Sequence, residues 1–114
     1  MDIIVTGGAG FIGSQIVRTL ALKGHHLAVL DDFSTGRQGN LVDLDVKLQV
    51  GDIRDSDLLR RVLEESEVLF HLGAYISAPG SLQEPELCYD INIIGSLRVL
   101  EAAQRAGVRR VVLA

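Results

Sequence analysis

The chain opens on a short β-branched run that ends in glycine: Ile3-Ile4-Val5-Thr6 leads into Gly7-Gly8-Ala9-Gly10-Phe11-Ile12-Gly13. Nothing else in the sequence restricts the fold as strongly. The first run reads as a strand. Residues 11–23 then place Phe11, Ile12, Ile16, Val17, Leu20 and Ala21 at helical spacing on one face, and Gly24 stops the helix. Glycine thus sits at the hand-over from strand to helix. At the strand exit it permits a tight turn, and at Gly10 it lets backbone approach a ligand. At Gly13, inside the first helical turn, it lets the helix pack closely on the sheet. Both Gly8-x-Gly10-x-x-Gly13 and Gly7-x-x-Gly10-x-x-Gly13 are satisfied.

The same rhythm continues. Further β-branched runs lie at 27–31, 46–50, 67–71 and 109–113, the first being 2–6. A second helix is expected over 55–65, capped by Asp55, with Leu58, Leu59, Val62 and Leu63 inward. A third spans 86–106, between Pro85 and Gly107, with Leu87, Ile91, Ile94, Leu97, Leu100 and Ala103 as its buried stripe. Residues 32–45 read as a loop with at most one turn. Alternation of this kind predicts an α/β fold, a doubly wound parallel sheet of order 3-2-1-4-5, with its ligand crevice outside the strand C-termini.

The strand exits carry matching residues. A diphosphate at the glycine turn would meet the free N–H groups and partial positive charge of the first helix start. Asp31 ends the second strand and can accept both ribose hydroxyls of an adenosine while repelling a 2′-phosphate, which favours NAD over NADP. Asp52, in Gly51-Asp52-Ile53-Arg54-Asp55, can accept from an adenine amino group while Ile53 covers the ring; it also reads as a plain turn residue. Gly73 and Ala74 are small where backbone would pass a flat ligand. A P-loop is excluded, because no lysine precedes Ser14. A methyltransferase is disfavoured, because Thr6 stands where an acidic residue is expected. A non-catalytic dinucleotide sensor remains as an alternative of another class.

Together, TGGAGFIG, LDDFSTG, GDIRD, FHLGA and INIIGSLRVLEAA, in order across residues 2–114, resemble the extended short-chain dehydrogenase/reductase family. The resemblance is greatest to nucleotide-sugar epimerases and dehydratases of the UDP-glucose 4-epimerase type. It implies a Rossmann-type fold and a set of NAD contacts. Gly7, Gly10, Phe11, Ile12 and Gly13 would cradle the diphosphate. Asp31 would hold the adenosine ribose, with Asp32, Ser34, Thr35 and Gly36 around it. Asp52 and Ile53 would hold the adenine. Leu72, Gly73 and Ala74 would line the nicotinamide side, Asn92 would reach in from the long helix, and Gly95 would let that helix approach the sheet. The chain departs from the family pattern at Asp32, where asparagine is frequent, and at Gly73, where alanine is usual. It departs again at Ala78-Pro79-Gly80-Ser81, which lacks a glutamate but keeps Ser81 as a candidate substrate-loop residue.

The resemblance also implies catalytic groups that are not found: a Ser/Thr after strand five and a Tyr-x-x-x-Lys pair. The tyrosines are Tyr75 and Tyr89, and four residues on stand Pro79 and Ile93. The 114 residues therefore read as the N-terminal part of an NAD(P)-binding domain, with no catalytic residue, no turnover of its own and the substrate-binding portion elsewhere. Residues 109–114 would then leave an open apolar edge, expected to promote self-association of this piece made by itself. The full-length form is expected to take a nucleotide sugar and to form a homodimer, with 86–106 as candidate interface.

Composition agrees with this reading. A net charge of −4 without a basic cluster gives no footprint for nucleic acid. The lone Cys88 rules out an internal disulfide and is expected to be a small buried hydrophobe. No leader or membrane-spanning run is seen, so the expectation is cytoplasmic. His25-His26 would point to opposite faces and reads as solvated loop histidines rather than a metal site, whereas His71 is expected to be a packed or a cofactor-flanking residue rather than a catalyst.

Overall fold

The computed structural model describes residues 1–74 and 78–114, and of Ala78, Pro79 and Ser81 the backbone only. Five strands form one parallel sheet: β1 (Asp2–Thr6), β2 (His26–Asp31), β3 (Lys47–Val50), β4 (Val68–His71) and β5 (Arg110–Leu113). Their order is β3-β2-β1-β4-β5, as the alternation predicts. Register places Thr6 beside Leu30 on one side and His71 on the other, so the exits of the central strands lie level.

Both faces of this sheet are covered, and successive residues of a strand divide between them. Ile3 and Val5 of β1 join Leu27 and Val29 of β2 and Val17 of α1 (Phe11–Leu22) in one core. Ile4, Leu30 and Leu69 point the other way, against Leu58, Leu59 and Leu63 of α2 (Ser56–Leu63) and Val99 and Ala103 of α5 (Ser96–Ala106). Asp55 caps α2 by accepting the Leu58 N–H at 3.1 Å. Gly107, at φ +75°, closes α5 in the left-handed conformation. Residues 32–45 contain one 3-10 turn, Gln38–Leu41.

Three features depart from the sequence reading. Phe11 and Ile12 do not belong to the inward face of α1: they are 84% and 62% exposed, while Gly13, Ser14 and Val17 are buried. The helix start lies so close to the β1 exit that only small residues fit beneath it. The helix expected over 86–106 is composite, running through α4 (Pro85–Tyr89), a π segment (Asp90–Gly95) and α5. A π turn takes in an extra residue, and this shifts the buried positions. From the end of that segment onward Gly95, Val99 and Ala103 are buried at four-residue spacing, so Ala103 keeps its expected place while Leu97 and Leu100 are 48% and 37% exposed. A short helix not foreseen, α3 (Ala78–Gln83), precedes it. The side chain of Ser81, and Tyr75, lie outside the described residues.

Beneath the strand exits runs a buried polar chain. Ser96 Oγ donates to the Asn92 carbonyl at 2.7 Å and lies 3.0 Å from His71 Nε2. His71 Nδ1 lies 2.6 Å from Thr6 Oγ1, which accepts the N–H groups of Leu72 and Gly73 at 3.1 and 3.0 Å. With those acceptor roles fixed, the Thr6 hydroxyl donates to Nδ1 and Nε2–H donates to Ser96. The imidazole is therefore neutral, in agreement with its burial, which pushes its pKa down. Among the described residues, the outer flank of β5 pairs with no strand, and Val112 and Leu113 are 40% and 57% exposed there.

The neutral His71 makes stability pH-dependent. Below the ordinary imidazole pKa the unfolded chain binds a proton that the folded chain refuses, so stability falls with pH until the lowered folded pKa is passed. For one group the slope there is at most about 1.4 kcal/mol per pH unit. Urea unfolding of the complete protein should show a lower midpoint at pH 5.5 than at pH 7.5, and His71→Asn should remove most of that difference. An undiminished difference in the variant would contradict the assignment.

Candidate dinucleotide site

The bend after β1 is set by Gly7, which adopts φ +69°. A Cβ there would come within 2.8 Å of the Leu72 carbonyl carbon and the Gly73 N, so the turn needs glycine both for its dihedral and for its contact with the β4 exit. Gly7 N–H donates to the Leu30 carbonyl at 2.8 Å, and Gly10 N–H donates back to the Gly7 carbonyl at 3.1 Å. Gly10 is the N-cap of α1, and no side chain caps that helix. The first-turn N–H groups of Phe11, Ile12 and Gly13 have no partner within the helix, and the exposed side chains of Phe11 and Ile12 flank them. This is the arrangement that favours an anion.

Asp31 ties this turn to the β2 exit. Its Oδ2 accepts the Ala9 N–H at 2.9 Å and its Oδ1 accepts the Phe33 N–H at 2.8 Å, and the residue is 8% exposed. A carboxylate offers about four acceptor sites, so two hydrogen bonds leave room for two more. Phe33 is held at φ +61°, a strained conformation for a side chain of its size. Asp32 is exposed, and its Oδ1 accepts both the N–H and the hydroxyl of Ser34. Thr35 is exposed. Gly36 passes against Ala9, where a Cβ would come within 2.9 Å of its carbonyl carbon. The Ala9 carbonyl is itself held by the Asn40 amide at 2.9 Å and by the Arg37 N–H at 3.0 Å. Asn40 was not singled out from the sequence; an asparagine in a loop carries no signal of a contact 31 residues away.

At the β3 exit, Arg54 reaches both Asp52 and Asp90, which it contacts at 2.6 Å each. The Arg54 guanidinium holds the Asp52 carboxyl below the usual carboxylate range. Ile53 is 8% exposed and fills the space beside Gly73 and Gly95, where added Cβ atoms would come within 3.1 and 2.8 Å of it. Gly95 is thus a point of close approach, but what it approaches is Ile53 rather than a strand. Leu72 and Gly73 follow β4, anchored by Thr6, and Ala74 is exposed. Asn92 lies in the π segment, where its amide contacts Cys88 Sγ at 3.3 Å; Cys88 is half-buried rather than buried.

All predicted positions except Asn92 therefore lie at or just past the C-terminal ends of the four strands β1 to β4, Asp31 as the last residue of β2, and the loops that carry them are hydrogen-bonded or packed against one another. A recess of about 840 Å³ lies at the opposite end of the sheet, among Asp2, His26, Lys47 and Arg61, away from these loops. Among the described residues no group of three or more histidine, cysteine, aspartate or glutamate side chains could hold a metal ion. Among the described residues no helix is long and apolar enough to cross a membrane.

Known proteins share this fold. The model of the NAD dependent epimerase/dehydratase family matches residues 3–114. A UDP-glucose 4-epimerase of Mycolicibacterium smegmatis is 43% identical over 98% of this chain and 37% of its own length. A dTDP-glucose 4,6-dehydratase of Mycobacterium tuberculosis is 37% identical over 96% of this chain and 34% of its own. Among solved structures, the UDP-glucose 4-epimerase of Thermotoga maritima with UDP-glucose superposes with a TM-score of 0.94 at 37% identity, over 99% of this chain and 37% of that one. The Thermus thermophilus UDP-glucose 4-epimerase in complex with NAD superposes with a TM-score of 0.90 at 37% identity, over 97% and 36%. The chain thus spans little more than a third of the relatives it matches. Sheet order, glycine turn and family match agree, and the chain belongs to the NAD dependent epimerase/dehydratase family.

Proposed function

We propose that this chain is the cofactor-binding portion of an NAD-dependent nucleotide-sugar epimerase or dehydratase of the UDP-glucose 4-epimerase type, acting in the cytoplasm. The observation that carries the reading is the hydrogen bond from Ala9 N–H to Asp31. It makes the diphosphate turn and the ribose acceptor one unit, next to a helix start that no side chain caps. These residues fit a dinucleotide. Gly10 leaves the approach to the helix start open, with only the Gly7 carbonyl within 4 Å of an added Cβ.

Each part of the cofactor then has a holder. The N–H groups of the first helical turn, with Gly7, Gly10, Phe11, Ile12 and Gly13, take the diphosphate. The two remaining acceptor sites of Asp31 take the adenosine hydroxyls, with Asp32, Ser34, Thr35 and Gly36 around them. Asp52 and Ile53 stand at the adenine end, and Leu72, Gly73, Ala74 and Asn92 at the nicotinamide end. When bound, NAD supplies hydride acceptance from a sugar carbinol. This chain orients it, and the acid–base groups and sugar site belong to the remainder of the protein, so the chain alone binds without turnover. Tyr89, Ile93, Leu97 and Leu100 form an exposed stripe on the composite helix, 37–56% exposed, and we assign it to a homodimer interface.

Calorimetric titration of the complete protein should show NAD bound more tightly than NADP, and no affinity for S-adenosylmethionine. Asp31→Ala should weaken NAD by about tenfold or more, as expected for losing charge-assisted hydrogen bonds, and shrink the preference over NADP. An unchanged preference would refute the ribose role. Sedimentation should give a dimer that Ile93→Asp with Leu97→Asp converts to monomer; a variant that stays dimeric would move the interface elsewhere.

A further inference from the structure

Arg54 makes more contacts with Asp52 than a turn requires. Its backbone N–H donates to Oδ1 at 2.8 Å. Its Nε is shared between Oδ1 at 3.0 Å and Oδ2 at 3.1 Å, and Nη2 donates to Oδ2 at 2.6 Å. The other arm, Nη1, donates to Asp90 Oδ2 at 2.6 Å, so the guanidinium is gripped from the β3 exit and from the π segment at once. Three protons make these four contacts, because the Nε–H is shared between both oxygens, so the carboxylate is one proton short of the about four it can accept. A carboxylate on a two-bond side chain, half exposed and held by water alone, would sample several rotamers. The planar fork of an arginine removes that freedom.

We propose that Arg54 is a positioning residue: it locks the Asp52 carboxylate, with Asp90 bracing the guanidinium, so that its remaining capacity for one proton is presented to the exocyclic amino group of adenine. This rests on the adenine role of Asp52 given above. A fixed, ionised acceptor welcomes the amino donor of adenine and repels the 6-oxo group that hypoxanthine carries in its place. Arg54 therefore sets base selectivity without touching the base. Asp90 acts through Arg54 from 36 residues away, which couples the adenine end of the site to the segment that carries Asn92.

The test compares binding of NAD and nicotinamide hypoxanthine dinucleotide to the complete protein by calorimetry. The two ligands differ only at the base, so general loosening of the fold weakens both and cancels in their ratio. The unaltered protein should prefer NAD by about tenfold, the scale of one charge-assisted hydrogen bond. Asp52→Ala should bring the ratio close to one, Arg54→Gln should do nearly the same with Asp52 intact, and Asp90→Asn should lower it part of the way. Arg54→Lys, which keeps the charge and loses the fork, should also lose the preference, and it serves where Arg54→Gln folds poorly. A ratio that collapses in Asp52→Ala but persists in both Arg54 variants would overturn the positioning role and leave the adenine role of Asp52 standing. No preference in the unaltered protein, or one that survives Asp52→Ala, would overturn the adenine role, and the positioning role with it.

Discussion

The site depends on the close approach of two chain turns at the end of β1. Gly7 leaves the strand in a left-handed conformation and passes within contact of the Leu72–Gly73 peptide, while Asp31 reaches across to hold the next loop at Ala9. Any side chain at Gly7 would push the β4 exit away, and any apolar residue at Asp31 would free Ala9, leaving the Gly7 N–H on the Leu30 carbonyl as the remaining tie of the turn to β2. The helix start then falls at a fixed place, with its first N–H groups open. An anion site of this kind needs no charged side chain, because the donors are backbone and the field is that of α1.

The layers below keep those loops level. Parallel register sets Thr6 between Leu30 and His71. The hydroxyl of Thr6 turns that register into hydrogen bonds by accepting the first two N–H groups past β4. His71 and Ser96 carry the connection on to the π segment. Every member of this chain has a partner, and no buried side-chain nitrogen or oxygen is left without one among the described residues. A satisfied polar chain is rigid where it is buried, as at Thr6 and His71, because breaking a link there leaves a buried group unpaired. The strand exits are therefore a stiff frame on which the exposed side chains of Phe11, Ile12, Asp32 and Thr35 are mounted.

Much of this was legible in the sequence. A parallel doubly wound sheet was legible in the alternation of strands and helices, and the order 3-2-1-4-5 was the one that fitted it. The glycine turn and Asp31 stood where a strand hands over, and Asp55 and Gly107 marked helix ends by residue type. Other features leave no local trace. Phe11 and Ile12 fit an apolar face by spacing, yet the close approach of helix to strand admits only Gly13 and Ser14 there. The π segment has no residue signature, and its extra residue turned a stripe through Leu97 and Leu100 into one through Gly95 and Val99. The short helix that begins at Ala78 is likewise not foreseen, that segment being set only against the family pattern. Contacts of Arg54 with Asp90, and of His71 with Ser96, join residues 36 and 25 apart, a distance over which charge and polarity patterns say nothing.

The amino end of α1 as the seat of a dinucleotide diphosphate is what ties the sheet, the glycines and Asp31 into one account. A crystal structure of the complete protein with NAD tests it most directly. The phosphate oxygens should accept hydrogen bonds from the N–H groups of Phe11 and Ile12, with both ribose hydroxyls on Asp31. Electron density for the dinucleotide at any other place, such as the recess beneath the strand N-termini, would contradict it.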